Sequence, residues 1–247
     1  PAEKSIWRFR RNDFSRQLYV PDGAKPDRQF LCLEGERPRH GTGSRAGNAA
    51  SGAQMIKEAM LYEKLAEDQV RCHLCAHRCS MKQGKRGVCG VRENKNGVLY
   101  SLVYGTLIAE NIDPIEKKPF FHVYPASKSY SIATVGCNFR CTFCQNHDIS
   151  QMPRETRMIG GEEFLPAETV VRAKQSGAKT IAYTYTEPTI YFETAYDTAE
   201  IAAENGLTNV FVTNGFMTAE AIDTIAPYLA AANVDLKSFR DEFYKKH

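Results

Sequence analysis

The chain has 247 residues, 43% hydrophobic and 25% charged, with a formal net charge of +3. That balance excludes a disordered or fibrous chain and allows one large domain, or two smaller ones, with a real core. No apolar run approaches the ~20 residues that span a bilayer, so no membrane role is expected and the cytoplasm is the default compartment.

Residues 1–54 hold ten Lys/Arg against six Asp/Glu, which leaves the rest of the chain close to neutral. This leader has no hydrophobic periodicity. Pro21-Asp22-Gly23, Pro26, Pro38 and the Gly/Ser-rich run from Gly41 to Asn48 are turn and linker chemistry, so it reads as a largely disordered basic extension. Trp7, Phe9, Phe14, Leu18 and Tyr19 are the residues able to dock a short piece of it. Cys32 stands alone and reads as an incidental thiol. Arg10-Arg11 hints at a twin-arginine signal, but no apolar stretch follows. A nucleic-acid partner would want basic residues on one folded face, and here they are scattered.

Residues 55–128 read as a second region. Ile56, Met60, Leu61 and Leu65 predict a short helix from Met55 to about Asp68. Cys72, Cys75, Cys79 and Cys89 then form a C-x2-C-x3-C-x9-C pattern. Four soft ligands this close together suit tetrahedral zinc or a complete four-thiolate iron–sulfur cluster, with His73 and His77 as substitute ligands. Asn96-Gly97 predicts a hairpin with a type I′ turn. Asp113 to Pro125, with three prolines, reads as an extended connector.

Residues 129–247 alternate strand and helix. A buried strand over Tyr130–Val135 is followed by Cys137, Cys141 and Cys144, a C-x3-C-x2-C triad with Phe143 just before the last thiol. A helix from Pro166 to Ser176 follows, then a strand over Thr180–Tyr185 and a helix from about Pro188 to Asn205. A strand over Asn209–Thr213 comes next, then a helix capped by Thr218 and kinked at Pro227, and a last strand over Asn233–Leu236. Short apolar strands joined by helices imply a parallel α/β sheet, whose chemistry gathers at the carboxyl ends of the strands. All four strands end in polar groups: the triad, Thr184–Glu187, Thr213-Asn214-Gly215, and Asp235 with Lys237.

Three thiolates are one short of a complete cubane shell, so an iron–sulfur cluster bound by them keeps one iron open to a small molecule. The plainer reading is a Cys3His zinc site completed by His147. A stand-alone zinc loop needs no polar groups at the other strand ends, which favours the cluster. For Asp235 and Lys237 the plain reading is a local ion pair, and for Phe143 ordinary core packing. A disulfide framework does not suit so long a chain with clustered cysteines.

The triad with its aromatic, flanked by Val135-Gly136 and Gln145-Asn146, resembles the radical S-adenosylmethionine (SAM) enzymes, in the branch of pyruvate formate-lyase activating enzymes. Asp113-Pro114-Ile115-Glu116-Lys117-Lys118-Pro119 and Cys72-His73-Leu74-Cys75 are similar to the radical SAM member of the AmmeMemoRadiSam system. The resemblance runs from about Met55, which therefore looks like a natural start, to His247. It implies a partial (β/α) barrel truncated after about four βα units, behind an N-terminal Cys-rich metal-binding knuckle. The last strand is then left with an open edge.

The resemblance also implies a [4Fe-4S] cluster on Cys137, Cys141 and Cys144, with SAM chelated by the open iron and cleaved by one electron to a 5′-deoxyadenosyl radical. Phe143 would lie against the adenine. Glu187 matches the acidic end of a Gly-Gly-Glu-Pro motif that faces the SAM ammonium, with Tyr185 and Thr186 replacing the glycines. Asp235 and Lys237 match Asp-Leu-Lys, near the ribose and the SAM carboxylate. Thr213 and Asn214 match Thr-Asn-Gly, although Val212 replaces a preceding aspartate, so no cation site of that kind is expected. A flavodoxin- or ferredoxin-type reductant is the implied partner, and the substrate, small molecule or protein, is left open. The competing readings are a glycyl-radical activase, which needs a large protein partner, and a zinc-binding interaction module.

Overall fold

The computed structural model describes residues 55–246 and the short strand Gln17–Tyr19. The remainder of the 1–54 leader, including Cys32, lies outside the described residues.

The centre is one sheet. Strands β1 (Ala109–Pro114), β2 (Lys128–Ala133), β3 (Thr180–Tyr183), β4 (Thr208–Thr213) and β5 (Leu229–Val234) lie side by side in that order. From β2 to β5 the pairings are parallel, as the alternating strand–helix pattern predicts. Strand β1 closes one side antiparallel to β2, with Asp113 opposite Ser129. At the other side the backbone of Gln17–Tyr19 pairs antiparallel with β5, Leu18 opposite Ala232, and covers the edge left open by the sequence reading.

The helices are α1 (His147–Glu155), α2 (Pro166–Gln175), α3 (Phe192–Glu204), α4 (Ala219–Ile225) and α5 (Asp241–Lys246). Pro166 stands at the first position of α2, and the Thr218 hydroxyl accepts from the Ala221 N–H to cap α4. Pro227 does break that helix, which continues as a 3-10 turn over Ala226–Tyr228. No helix among the described residues is long and apolar enough to cross a membrane.

The two faces of the sheet bury different partners. Tyr130, Ile132, Ile181, Tyr183 and Phe211 join Val170, Ala173, Phe192, Ala195 and Ala199 of the covering helices in one cluster. Ala182, Val210 and Ala231 meet Ile115 and Phe120 in a second. The stretch expected as a plain connector thus begins as the end of β1, makes a 3-10 turn over Ile115–Lys117 and supplies the apolar filling of the second face.

Two other expectations are corrected. The residues from Met55 to Asp68 are not a helix: Lys57–Glu58 pairs with Ser101 and Tyr100, and Tyr62–Lys64 with Val70–Cys72. Leu61, Glu67 and Asp68 have φ between 52° and 57°, which no right-handed helix allows. The helical spacing of four apolar residues yields to sheet partners supplied from elsewhere. The last strand ends at Val234 rather than Leu236, so Asp235 and Lys237 lie beyond it. The hairpin is found as expected: Arg92–Lys95 pairs with Val98–Ser101, and Asn96 and Gly97 have φ of 55° and 76°.

One buried ion pair fastens this small β-region to the helices. Arg92 sends Nη1 and Nη2 to the two Glu193 carboxylate oxygens at 2.8 and 2.9 Å, and Nη2 also reaches the Met60 carbonyl. The Met60 N–H donates to Glu193 at 2.7 Å. Both side chains are almost wholly excluded from solvent, so either charge alone is strongly penalised. Glu193→Gln should therefore lower unfolding stability by roughly 3–5 kcal/mol in urea titration. The apolar pair Arg92→Met with Glu193→Leu should recover most of it.

Candidate functional site

The chain leaving β2 turns at Gly136, whose φ of +101° suits glycine far better than any other residue. A Cβ there would stand 2.7 Å from Val91 Cγ1 and 3.1 Å from the Cys89 carbonyl oxygen. The turn that leads into the triad thus packs against the backbone of the four-cysteine segment at Cys89. The Gly136 N–H donates to the Ile149 carbonyl of α1, so the triad loop is closed back on its own helix.

Other contacts join the same two segments. His77 Nε2 lies 2.8 Å from the Asn138 carbonyl oxygen. Gly90 approaches α1 so closely that a Cβ would meet Pro153 Cβ at 3.0 Å. Arg154 Nε donates to the Val88 carbonyl, and its Nη1 reaches the Phe139 carbonyl at 3.0 Å and Gln151 Oε1 at 3.0 Å. The four-cysteine segment also touches the loop after β4: Cys75 bridges to Met217, the Ala76 N–H donates to the Phe216 carbonyl, and the Thr218 hydroxyl donates to the His73 carbonyl.

Cys72, Cys75, Cys79 and Cys89 line one cavity of about 20 Å³, closed by Leu74, Met81, Arg92 and Ile190 among others. Burial, with mutual repulsion, pushes the Cys75 thiol up to about 12, and burial does the same to Cys89, to about 11. Cys79 is raised for the same reason. His77 and His73 are already engaged: His77 with Asn138, and His73 Nδ1 with Arg78 Nη1 at 2.7 Å.

In the triad, Cys137 is pushed up to about 12 by burial first and then by the negative charge of Glu187. Cys141 is raised by burial, with Lys237, Cys144 and Asp235 in electrostatic reach. The structure therefore brings Cys137, Cys141, Cys144, Glu187, Asp235 and Lys237 into one neighbourhood at the carboxyl end of the parallel strands. His147 does not join them. It is half exposed and lies 3.7 Å from Glu155 and 4.0 Å from Asp148, carboxylates of its own helix.

Among the described residues no group of three or more His, Cys, Asp or Glu side chains stands ready-made to hold a metal ion. The thiols share a neighbourhood rather than a finished coordination shell. Their chemistry nevertheless fits soft metal: all seven described cysteines are free, and thiolate-rich sets select zinc and iron–sulfur groups. Two buried donors beside them, Arg154 Nη2 and Asn138 Nδ2, have no hydrogen-bond partner.

The remaining expected residues take definite positions. Phe143 is 58% exposed and stacks on Phe243 of α5 at 6.0 Å between centroids, so it is not core packing. Glu187 is turned inward. Its Oε1 accepts from the Thr189 N–H at 3.2 Å, the Thr189 hydroxyl at 2.5 Å and the Thr213 hydroxyl at 2.7 Å, and its Oε2 from the Asn214 N–H at 2.8 Å. Burial raises its pKa, and these donors work against that rise. Asn214 Nδ2 donates to Asn138 Oδ1 at 2.7 Å, tying the β4 loop to the triad loop. Lys237 and Asp235 form the local ion pair at 2.7 Å, and the Asp235 N–H still reaches the Thr213 carbonyl.

Tyr185, standing where the resembled motif has glycine, keeps a glycine-like φ of +61°. Its hydroxyl donates to Asp113 Oδ2 at 2.6 Å, Lys118 Nζ lies 4.1 Å from its ring centroid, and its carbonyl accepts from Asn146. Lys118 and Lys117 both pair with Asp113. Burial opposes the Asp113 charge, but these donors hold its carboxyl well below the usual range. Sequence reasoning missed α1 and with it Gln151 and Arg154. The one available signal was the spacing of Ser150, Gln151 and Arg154 on one helical face, and Pro153 inside the segment argued against a helix.

Residues 131–247 match the Radical SAM superfamily. The chain is 49% identical over 191 residues to the uncharacterized protein MJ0808 of Methanocaldococcus jannaschii, covering 77% of this chain and 56% of that protein. It is 25% identical over 178 residues to MJ0674 of the same organism, covering 69% of this chain and 46% of that protein. The chain thus spans about half the length of the curated relatives it matches.

Gly136→Ala should lower stability by about 1–3 kcal/mol, through its positive φ and the clash with Val91 and Cys89. Gly177→Ala, with φ of +73° and nothing within 4 Å of the added carbon, should cost about 1 kcal/mol or less when thermal melts of the two variants are compared.

Proposed function

We propose that the chain forms the core of a radical SAM enzyme of the activating-enzyme type, with the AmmeMemoRadiSam member as its nearest functional analogue. The observation that supports this reading is the meeting of the triad with Glu187, Asn214, Asp235 and Lys237 at one end of a parallel sheet. A zinc interaction module has no use for that convergence, and His147 is turned to its own helix.

Cys137, Cys141 and Cys144 would hold the cluster. When bound, a [4Fe-4S] group with one open iron supplies the electron that cleaves SAM to methionine and a hydrogen-abstracting 5′-deoxyadenosyl radical. The chain's own residues bind and orient. Lys237, held by Asp235, presents a cation beside Cys141 for a carboxylate, and the partly exposed Phe143 ring offers a face to the adenine. Glu187 acts at one remove, as a positioning residue that sets Thr213 and Asn214. The partial barrel is the architecture proposed for the whole protein, and a flavodoxin- or ferredoxin-type protein the reductant.

Cys72, Cys75, Cys79 and Cys89 are proposed to hold a second metal. All four thiols line the same cavity, and four thiolates suit a tetrahedral zinc or a complete four-thiolate cluster.

Anaerobic reconstitution with iron and sulfide, followed by iron counting and a SAM-cleavage assay, tests the reading. Wild type should yield 5′-deoxyadenosine, and Cys141→Ser should lose it to background, since the cofactor carries the chemistry and the variant lacks one of its ligands. Zinc at both cysteine groups, with no iron taken up, would refute the enzyme.

A further inference from the structure

The two cysteine groups are separated in sequence by the hairpin, strands β1 and β2 and the 3-10 turn between them, yet one side chain spans both. Arg154 leaves the last turn of α1 and lies between the loops carrying Cys89 and Cys137. Its Nε donates to the Val88 carbonyl, one residue before Cys89. Its Nη1 donates at 3.0 Å to the Phe139 carbonyl, two residues after Cys137, and to Gln151 Oε1 of its own helix. Gln151 Nε2 in turn reaches the same Phe139 carbonyl at 3.1 Å, so both side chains hold the triad loop at one point.

The third nitrogen of the fork is left over. Nη2 is buried and has no partner, and a buried guanidinium donor without an acceptor is costly. Cys79, Cys89 and Cys137 all lie within electrostatic reach of this cation, while Arg140 repels it. As neutral thiols these sulfurs are weak acceptors; as metal-bound thiolates they carry the charge that such a donor wants. Four thiolates on a divalent ion leave a net charge of −2, and a cation beside them offsets part of it.

We propose that Arg154 is the shared clamp of both metal groups. It holds the two cysteine loops in register through the Val88 and Phe139 carbonyls, and it gives its third N–H to thiolate sulfur once metal is bound. Loading of the four-thiol group and of the triad is thereby coupled, so the first group is a buttress of the second rather than a detached module. Gly136 and Gly90 support this: an added Cβ at Gly136 would crowd Val91 and Cys89, and one at Gly90 would crowd Pro153 and the Arg154 backbone N–H, so the four-cysteine segment lies close to both the triad loop and α1. A positive donor beside cluster sulfur also raises the reduction potential, so Arg154 helps set how readily the triad's cluster accepts its electron.

The proposal rests on the radical SAM reading and is tested with the full chain as Arg154→Gln and Arg154→Lys. The readouts are metal content at each group after anaerobic reconstitution, the EPR-monitored midpoint potential, and the melting temperature of the metal-free protein. Arg154→Gln should retain less metal at both groups, less than half of wild type, and shift the residual cluster to lower potential. Arg154→Lys keeps the charge but loses the fork. It should keep a near-wild-type potential with reduced metal retention, and it serves as the readout if the Gln variant does not fold. Full metal at both groups with an unchanged potential in Arg154→Gln overturns the proposal, as does loss confined to one group. If wild type takes no iron but binds zinc at both groups, and Arg154→Gln weakens zinc retention at both, the enzyme reading fails and the clamp stands. If wild type cleaves SAM and the variants load normally, the clamp alone fails.

Discussion

The arrangement depends on one close approach, the turn of Gly136 beneath Val91 and the Cys89 carbonyl. A Cβ at that position would press on the Val91 side chain and crowd the Cys89 carbonyl, and the positive φ adds strain for any residue but glycine. That approach brings two cysteine groups, far apart along the chain, against each other. Everything that follows is a consequence: α1 closes the triad loop, Arg154 spans both loops, and His77 reaches across to the Asn138 carbonyl.

A second constraint keeps this contact from slipping. The four-cysteine segment belongs to a small β-region that could swing on its connections to the sheet. Arg92 and Glu193 prevent this by placing a paired charge inside the junction, where neither partner can leave the other without a large desolvation penalty. Thr218 and Cys75 add a third point of attachment at the loop after β4. The carboxyl ends of β2 and β4 are then held by the same small region, and Glu187 and Asn214, just beyond the ends of β3 and β4, link the loops to one another.

The parallel strands, their helices and the two cysteine groups were legible in the sequence because each rests on local signals. Short apolar runs, Pro at a helix start, Thr218 at a cap and Asn-Gly at a turn all act within a few residues. The segment from Met55 to Asp68 was misread because its apolar spacing mimics a helix, while its pairing partners come from Val70–Cys72 and Val98–Ser101. Helix α1 went unseen because Pro153 lies within it, tolerated in a short segment packed against Gly90. Glu187 was legible as an important acid, but not as one already saturated by four protein donors.

The sequence by itself determined the chemistry: which residues are soft metal donors, how they are spaced, and that the strands end in polar groups. Spacing is a property of the covalent chain, and it limits which thiols can share one centre. Only the tertiary structure decided that the two cysteine groups are neighbours, that Tyr185 takes up a glycine's backbone conformation against Asp113 and Lys118, and that Arg154 stands between the thiols. Those are contacts between residues tens of positions apart, set by which surfaces pack on folding, and no local pattern encodes them.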